Sequence, residues 1–351
     1  MRVDLPPAIK AAVKGGCTNS CQMPVGNGQS SVASVGEQKA GLTSVLSSTQ
    51  RCLEGMYSRK TQLIPSVAPT LTTGHRQLAT DNLMDNRIDQ RFAQLRGEGA
   101  SGFMAYITGG DPTPEKTVDI ALGLSKAGVD FLEIGVPFSD PLADGVANQL
   151  GAQRALAAGT TVPKLLKAIV EIRKNLDFPI ILYSYLNPLF QYGFERFERD
   201  AAAAGADGLL LLDLPPDETL LPDNPKKFLH RIRLVAPTTS ESRIRQIVSR
   251  ADGFIYYVSR EGVTGEREAL SQTIGEHVAM IRRETDLPVA VGFGISNATQ
   301  AGQVAALADA VVVGSAIVRR IGEFGHDEQL GRRIQEFVEP LVMAVKSGRR
   351  G

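Results

Sequence analysis

From residue 84 onward, short apolar runs alternate with longer segments that have a helical pattern. The runs are four to eight residues long and recur eight times. They are apolar at nearly every position, as strands buried on both faces must be, and parallel sheets contain such strands. The eight predicted strands are 103–108, 131–137, 179–185, 208–215, 231–237, 253–259, 288–294 and 310–315.

The segments between the runs carry helix signals. At the first, Thr113 can cap a helix with its hydroxyl, and Pro114 suits the first helical position. Glu115 then places an acid in the first turn, and Gly128 is expected to end the helix. The positions expected to face the sheet are Val118, Ala121 and Leu122, and in a later helix Leu166, Ile169 and Val170.

A small residue followed by aspartate precedes four of the runs, which indicates one repeated β/α unit. The aspartates are Asp130, Asp207, Asp252 and Asp309. Eight strands alternating with helices over 268 residues predict an α/β protein with a closed (β/α)₈ TIM barrel. The alternative is a doubly wound open sheet, which usually has a glycine-rich dinucleotide turn after its first strand. The turn at 108–112 is too short for that and ends in proline.

Residues 1–83 differ from the rest of the chain. They are rich in Ser, Thr, Gly, Gln and Pro, and they hold four acids against eight Lys and Arg. This composition predicts a disordered extension, either a tail or sequence upstream of a start at Met84. A basic, acid-poor, Ser-rich leader also fits an organellar transit peptide. We expect a barrel at 84–351 and a cytoplasmic protein, or a plastid protein if residues 1–83 are a transit peptide.

Charge and cysteine content limit the kinds of partner, metal site and compartment to be expected. Lys plus Arg and Asp plus Glu both number 38, so no broad basic field favours nucleic acid as a partner. No apolar run reaches the roughly 18 residues of a membrane span. The cysteines, Cys17, Cys21 and Cys52, all precede the barrel, which excludes a disulfide framework there and suits a reducing compartment. A zinc site is not expected, because the spacing of Cys17 and Cys21 has no matching second Cys or His pair.

In such barrels, function lies at the carboxyl ends of the strands and in the loops that follow. Glu133 stands inside the second apolar run, where a carboxylate is costly unless it is neutral or paired. It is either a general acid/base with a raised pKa or a structural glutamate paired with an arginine. The next loop adds Asp140 and Asp144, which by spacing alone are ordinary turn residues.

Two glycine-containing loops indicate a phosphate site. Runs seven and eight end in GFGIS at 292–296 and GS at 314–315, each before a helix. Glycine permits close backbone approach, helix N-termini attract anions, and these two loops commonly bind phosphate in this fold. The polar segment 259–266, with Gly262 and Gly265 as hinges, is expected to be a mobile lid or a flexible surface loop.

Missing residue types limit the mechanism. No Lys ends a strand, so a Schiff-base aldolase has no nucleophile. The four His lie outside the strand ends, which disfavours a His-ligated metal. We therefore expect no metal and no cofactor, and a site built from carboxylates, tyrosines and backbone dipoles.

Residues 84–351 resemble the tryptophan synthase alpha chain family from end to end. The resemblance rests on YITGGDP at 106–112, EIGVPFSDPLADG at 133–145, SREGVTG at 259–265, GFGIS at 292–296 and GS at 314–315. It implies a lyase that splits indole-3-glycerol phosphate by a retro-aldol reaction into indole and glyceraldehyde 3-phosphate. This is the alpha reaction of tryptophan biosynthesis.

The resemblance also implies roles for individual residues. Glu133 is the acid/base, Asp144 accepts the indole N–H and stabilises charge on the ring, and Tyr256 helps to position the substrate. The implied substrate-binding residues are Tyr106 and Tyr185 at the indole, Thr264 on the lid, and Gly265, Phe293, Gly294, Gly314 and Ser315 at the phosphate. The lid threonine is expected to meet the aspartate of the loop after the second strand.

A protein partner is implied as well. In this family the chain forms an αββα heterotetramer with the beta chain, and the loop around Asp140 lies on the contact face. At 146–148 this chain has Val-Ala-Asn where the family usually has proline and then an apolar residue, so the loop holding Asp144 has more backbone freedom. The alternatives are a stand-alone indole-releasing lyase and a catalytically silent phospho-ligand-binding barrel. Intact Glu133 and Asp144 argue against the silent barrel, and the lack of a strand-end Lys argues against indole-glycerol-phosphate synthase.

Overall fold

The computed structural model describes residues 86–215, 217–218, 228–258, 267–292 and 294–348. All of them belong to one unit of the chain, Thr72–Gly351. The strands in these ranges are β1 (Gly102–Thr108), β2 (Phe131–Gly135), β3 (Ile180–Ser184), β4 (Gly208–Leu211), β5 (His230–Val235), β6 (Ile255–Val258), β7 (Val289–Gly292) and β8 (Ala310–Val313). The helices are α1 (Arg87–Gly97), α2 (Pro114–Lys126), α3 (Val146–Ala157), α4 (Val162–Arg173), α5 (Leu186–Tyr192), α6 (Phe194–Ala204), α7 (Glu241–Val248), α8 (Arg267–Glu284), α9 (Ala298–Ala305), α10 (Ser315–Phe324) and α11 (Leu330–Ser347).

The strands form a closed parallel barrel. Each strand pairs with the next along the chain, and β8 pairs back to β1. The predicted TIM barrel is confirmed, every predicted run overlaps one strand, and the open doubly wound sheet is wrong. The runs are apolar at nearly every position because their outer faces meet helices and their inner faces meet one another. No helix of the described part has the length and apolar character needed to cross a membrane.

Apolar side chains fill the amino-terminal half of the barrel interior. This inner core includes the following residues of the strands or next to them: Met104, Phe131, Ile181, Leu210, Ile232, Phe254, Ala290 and Ala310. Helix α1 closes this end, because its buried residues Ile88, Phe92 and Leu95 pack into the same core. The rings of Phe92 and Phe131 lie 4.5 Å apart between their centroids. The carboxyl half of the interior is therefore the part in which polar groups can gather.

The repeated small-residue–Asp step has a structural role at the amino ends of the strands. For three of its four occurrences, the carboxylate accepts a hydrogen bond from a backbone N–H near the start of the preceding strand. These bonds run from Phe103 to Asp130 at 2.6 Å, from Ile180 to Asp207 at 2.8 Å and from Val289 to Asp309 at 2.8 Å. Each of these three aspartates thereby ties two neighbouring strands and satisfies a buried backbone donor.

Helix α2 confirms the predicted helix start. The Thr113 hydroxyl accepts a hydrogen bond from the Lys116 N–H at 3.3 Å, and Pro114 is the first helical residue. The helix ends at Lys126, and Gly128 beyond it has a φ of 85°, a conformation that favours glycine. The local sequence was therefore sufficient to place both ends of this helix.

The predicted inner faces of α2 and α4 are partly wrong. In α2, Ala121 is buried, but Val118 and Leu122 are only half-buried. A Cβ added at Gly123 would lie 2.0 Å from the Gly331 carbonyl oxygen of α11, so a neighbouring helix also covers this side of α2. In α4, Val170 is 42% exposed. The buried residues are Thr117, Ile120, Ala121, Gly123 and Leu124 in α2 and Leu165, Leu166, Ala168, Ile169 and Ile172 in α4.

An ion pair joins the loop after β1 to helix α3. The Arg154 guanidinium donates two hydrogen bonds, both 2.7 Å, to the carboxylate of Asp111, which is fully buried. A further hydrogen bond of 3.4 Å runs from Arg154 to the Val318 carbonyl of α10. Burial raises the pKa of Asp111, and the guanidinium of Arg154 opposes that rise. This pair connects three elements near the carboxyl end of the barrel.

We expect Arg154→Met to lower the free energy of unfolding by roughly 3 kcal/mol, because it leaves the Asp111 carboxylate buried without its charged partner. Urea denaturation measures this loss. The matched control is Arg199→Met, since Arg199 pairs with Asp200 at the surface, and its expected loss is below about 1 kcal/mol. Equal losses in the two variants would contradict a structural role for the buried pair.

Candidate active site

Acidic and aromatic side chains gather inside the carboxyl half of the barrel. Tyr106 of β1, Glu133 of β2, Tyr183 of β3 and Tyr256 of β6 each lie two residues after an inner-core residue of the same stretch. Those core residues are Met104, Phe131, Ile181 and Phe254. Because side chains alternate along a strand, all four site residues point into the barrel. Tyr106 and Glu133 also stand side by side in the β1–β2 register.

Glu133 is a buried carboxyl group that has no hydrogen-bond partner in the part of the chain that the structure describes. Its exposed fraction is 0%, and neither of its oxygens has a partner among the residues that the structure describes. Burial, and then the nearby charge of Asp144, raises the pKa of Glu133 to about 8. The group is therefore mainly neutral at pH 7. An arginine partner, the structural alternative for Glu133, is not present within the described ranges.

Asp144 is a turn residue whose side chain enters the pocket. Its N–H donates to the Pro141 carbonyl at 3.1 Å, so the predicted turn forms. The hydroxyls of Tyr183 and Tyr185 donate to its two carboxylate oxygens, both at 3.0 Å, and the Asn148 amide donates a longer hydrogen bond of 3.4 Å to the same oxygen as Tyr183. Burial raises the pKa of Asp144, and these hydrogen bonds oppose the rise. Among the described residues, the two carboxyl groups thus have opposite surroundings, because Glu133 receives no hydrogen bond and Asp144 receives several.

Glycines make room for the tyrosine rings. A Cβ at Gly135 would lie 2.3 Å from the Tyr106 hydroxyl oxygen, and one at Gly292 would lie 2.9 Å from that of Tyr256. Burial raises the pKa of both Tyr106 and Tyr256 well above the usual value. Both side chains therefore remain phenols that can donate a hydrogen bond at physiological pH.

The start of helix α10 adjoins this pocket. The helix follows β8 after a single residue, Gly314, and no side chain of the described residues caps its first turn. The free N–H groups beginning near Ser315 can therefore meet a bound anion. A Cβ at Gly314 would lie 3.2 Å from the Cβ of Tyr106, which places this helix start beside the aromatic pocket. Gly294 lies exposed in the loop before α9.

The structure brings five of the predicted site residues together. Tyr185 donates to Asp144 at 3.0 Å, and Tyr106 stands beside Glu133 in the strand register. Burial, and after it the charges of Glu133 and Asp144, raises the pKa of Tyr106 and of Tyr256, in agreement with one shared pocket. The predicted residues Thr264, Gly265 and Phe293, and the predicted lid 259–266, lie outside the described residues.

Tyr183 is a site residue that the sequence analysis missed. Its hydroxyl donates to Asp144, and its ring meets the ring of Tyr106 edge-on with centroids 5.0 Å apart. The available signal was its position two residues before Tyr185 in the same predicted strand, where alternation turns it inward. His230, by contrast, begins β5 at the amino end of the barrel, where its Nε2 lies 2.6 Å from the Asp89 carboxylate.

Comparisons with known proteins agree with this architecture. Residues 92–346 match the family model described as tryptophan synthase alpha chain. The tryptophan synthase alpha chain of Geotalea daltonii is 46% identical over 266 residues, which cover 75% of this chain and 98% of the relative. That of Geobacter sulfurreducens is 46% identical over 262 residues, covering 74% of this chain and 99% of the relative.

Solved structures give the same result. The crystal structure of tryptophan synthase subunit alpha from Legionella pneumophila is 37% identical, with a TM-score of 0.67, and covers 74% of this chain and 98% of its own. A tryptophan synthase structure from M. tuberculosis is 32% identical, with a TM-score of 0.67. The match covers 76% of this chain and 100% of the chain in that structure. The barrel, the family model and these relatives together establish that this chain belongs to the tryptophan synthase alpha chain family.

Proposed function

We propose that this chain is a carbon–carbon lyase that cleaves indole-3-glycerol phosphate into indole and glyceraldehyde 3-phosphate, the alpha reaction of tryptophan biosynthesis. The observation that carries this proposal is a buried Glu133 without hydrogen-bond partners in the described region, in the same pocket as Asp144 with both oxygens hydrogen-bonded. Such contrasting environments keep Glu133 protonated as an acid and Asp144 ionised as an anion, and the reaction needs both. Membership of the family supplies the substrate.

Glu133 moves the protons in this mechanism. With a pKa of about 8 it carries a proton at neutral pH and donates it to C3 of the indole ring. The resulting carboxylate then takes the proton of the side-chain hydroxyl next to the ring. As that hydroxyl becomes the aldehyde carbonyl, the carbon–carbon bond breaks and its electron pair returns to the ring. Both transfers balance on one residue, and the cycle ends with Glu133 protonated again.

Asp144 stabilises the charge that these steps create. Protonation at C3 places positive charge on the ring nitrogen, and the Asp144 carboxylate accepts the N–H and opposes that charge. Tyr185 fixes this carboxylate with a hydrogen bond of 3.0 Å. Tyr256 helps to position the substrate, and Tyr106 lines the space for the indole.

The phosphate group of the substrate binds at the start of helix α10. Gly314 lets the backbone come close, and the N–H groups beginning at Ser315 donate to the phosphate oxygens. This assignment is supported by the absence of a side-chain cap on α10 among the described residues and by the closeness of Gly314 to Tyr106. Gly294, together with Phe293 and Gly265 outside the described residues, completes the site by analogy with the family.

A tryptophan synthase beta chain is the proposed partner, in an αββα assembly. Apolar side chains are exposed near the carboxyl end of the barrel: Leu142 is 89% exposed, Val146 is 72% exposed and Phe190 is 48% exposed. Exposed apolar groups of this size suit a protein contact. The second candidate is a stand-alone lyase, and it is favoured by the hydrogen bonds that already hold Asp144 within this chain.

Indole release from indole-3-glycerol phosphate by the full chain, with and without a tryptophan synthase beta chain, tests these proposals. We expect slow release alone and a strong rise with the partner. Fast release by the chain alone would favour the stand-alone lyase. No release in either case would contradict the lyase and favour the silent binding barrel.

We further propose that residues 84–351 are the catalytic unit and that residues 1–83 are dispensable for it. The relatives support this, because they are matched over nearly their full lengths by three-quarters of this chain. The same assay on a chain that starts at Met84 checks the proposal. The proposed compartment is the cytoplasm, and cell fractionation that finds the chain in plastids would favour the transit peptide instead.

A further inference from the structure

Donors from different elements surround the Asp144 carboxylate. Its Oδ1 accepts hydrogen bonds from the Tyr183 hydroxyl at 3.0 Å and from the Asn148 amide at 3.4 Å. Its Oδ2 accepts one from the Tyr185 hydroxyl at 3.0 Å. The backbone oxygen of Asp144 accepts one from the Gln149 amide at 3.0 Å. Side chains from β3, from the residue that follows it and from α3 therefore hold this loop.

Hydrogen-bond donors affect which of two neighbouring carboxyl groups holds a proton. Glu133 and Asp144 are coupled, since the charge of Asp144 acts on Glu133. When two carboxyl groups interact, the proton remains on the group whose anion receives fewer hydrogen bonds. Glu133 receives none from the described part of the chain, whereas Asp144 receives those above. The titratable groups that face Asp144 are Glu133 of β2, Tyr106 of β1, Tyr183 of β3, Tyr185 after β3 and Tyr256 of β6.

We propose that Tyr183, assisted by Asn148, is a positioning residue for the lyase reaction. It holds Oδ1 of Asp144 so that this carboxylate stays an anion aimed at the substrate and the shared proton stays on Glu133. The inference rests on the proposed function and adds to it a group that acts through Asp144 without touching the reacting atoms.

Tyr183 is suited to this role by its surroundings. Its ring is held edge-on against Tyr106, with an interplanar angle of 71°, so the hydroxyl has a fixed direction. Burial raises the pKa of Tyr183 well above its usual value, which keeps the phenolic proton available for donation. The Tyr185 hydroxyl, in comparison, also accepts a hydrogen bond from the Ala143 N–H at 2.9 Å and thereby holds the loop backbone.

Asn148 supports the same oxygen from helix α3. Its amide nitrogen faces Asp144, while its own Oδ1 is buried without a partner among the described residues. The opposite orientation of the amide would set two oxygens against each other. The structure thus keeps the donor on Asp144 although a buried acceptor is left unsatisfied, which is costly.

The test is Tyr183→Phe in the full chain, which removes one oxygen and keeps the ring. We expect kcat/KM at neutral pH to fall about tenfold with little change in KM, because a hydrogen bond to a charged group is lost. The acid limb of the pH profile is expected to move to higher pH, since Tyr183 lowers the pKa of Asp144. The matched control is Tyr192→Phe, whose hydroxyl bonds Asp200 outside the pocket at 2.8 Å. It should leave rate and profile unchanged.

Two further measurements separate this inference from its alternatives. Asn148→Ala acts on the same oxygen and is expected to shift the acid limb in the same direction by less. Infrared titration of the carboxyl bands, which does not depend on catalysis, should show Asp144 ionising at a higher pH in Tyr183→Phe than in the unmodified chain. The inference would be overturned if Asp144 ionised at the same pH in Tyr183→Phe and in the unmodified chain. It would also be overturned if Tyr192→Phe shifted the acid limb as much as Tyr183→Phe does. An unmodified chain that releases no indole would contradict the proposed function instead.

Discussion

Glu133→Gln is expected to lower kcat for indole release by about 10²–10⁴-fold and to leave the fold intact. Glutamine keeps the shape of the side chain, but its amide cannot carry the proton that the reaction moves twice. No hydrogen-bond network is broken by the change, because within the described ranges the Glu133 oxygens have no partners. Indole release under single-turnover conditions, together with circular dichroism, measures both parts of the prediction.

The same variant is expected to change how the stability of the protein depends on pH. The folded-state pKa of Glu133 is about 8, against an ordinary value of 4.5. Between these values the folded chain holds a proton that the unfolded chain releases, so the stability of the unmodified protein falls as pH rises through this window. Glu133→Gln has no ionisable group at this position, so its free energy of unfolding should not fall in this way. Above the window it should exceed that of the unmodified chain by up to roughly 5 kcal/mol. Urea denaturation on both sides of the window measures it.

Glu198→Gln is the matched control for a buried glutamate. Glu198 is also buried, but it pairs with Arg231 outside the pocket at 3.2 Å. Its replacement is expected to reduce stability, since the pair is broken, and to leave indole release unchanged. Near-normal turnover in Glu133→Gln would remove Glu133 from the mechanism, and equal losses of activity in both variants would show a general effect of buried glutamate replacement.

Asp144→Asn is expected to lower kcat by about 10²–10³-fold, because the charge opposing the positive ring is lost. It should also shift the basic limb of the pH profile to lower pH. The charge of Asp144 helps to raise the pKa of Glu133. Without that charge Glu133 releases its proton at a lower pH, so the protonated form needed for the first step disappears earlier.

Asp177→Asn serves as the control for Asp144→Asn. Asp177 is exposed and pairs with Arg87 at the amino end of the barrel, at 2.5 Å. We expect its rate and its pH profile to match those of the unmodified chain. A basic limb that stays in place in Asp144→Asn would show that the charge of Asp144 does not raise the pKa of Glu133.

Most of the fold could be predicted from local patterns in the sequence. The apolar runs predict strands because a strand covered on both faces has no place for exposed polar groups, and all of the runs proved to be strands of one barrel. The two ends of α2 were predicted from Thr113, Pro114 and Gly128, because capping and helix-ending residues act within a few positions of the helix end. Glu133 stood out for a similar reason, since a carboxylate in an apolar strand is costly.

Contacts between distant parts of the chain decided the rest. Val118 and Val170 are more exposed than their periodicity predicts, because neighbouring helices set which face of a helix is covered. Spacing alone made Asp144 an ordinary turn residue, and Tyr183 drew no attention. Their hydrogen bond joins residues 39 positions apart. The sequence by itself determined the barrel and the chemistry available to it. Only the closed barrel decided which of the two carboxyl groups receives hydrogen bonds from the described residues, because that depends on side chains brought together from separate strands.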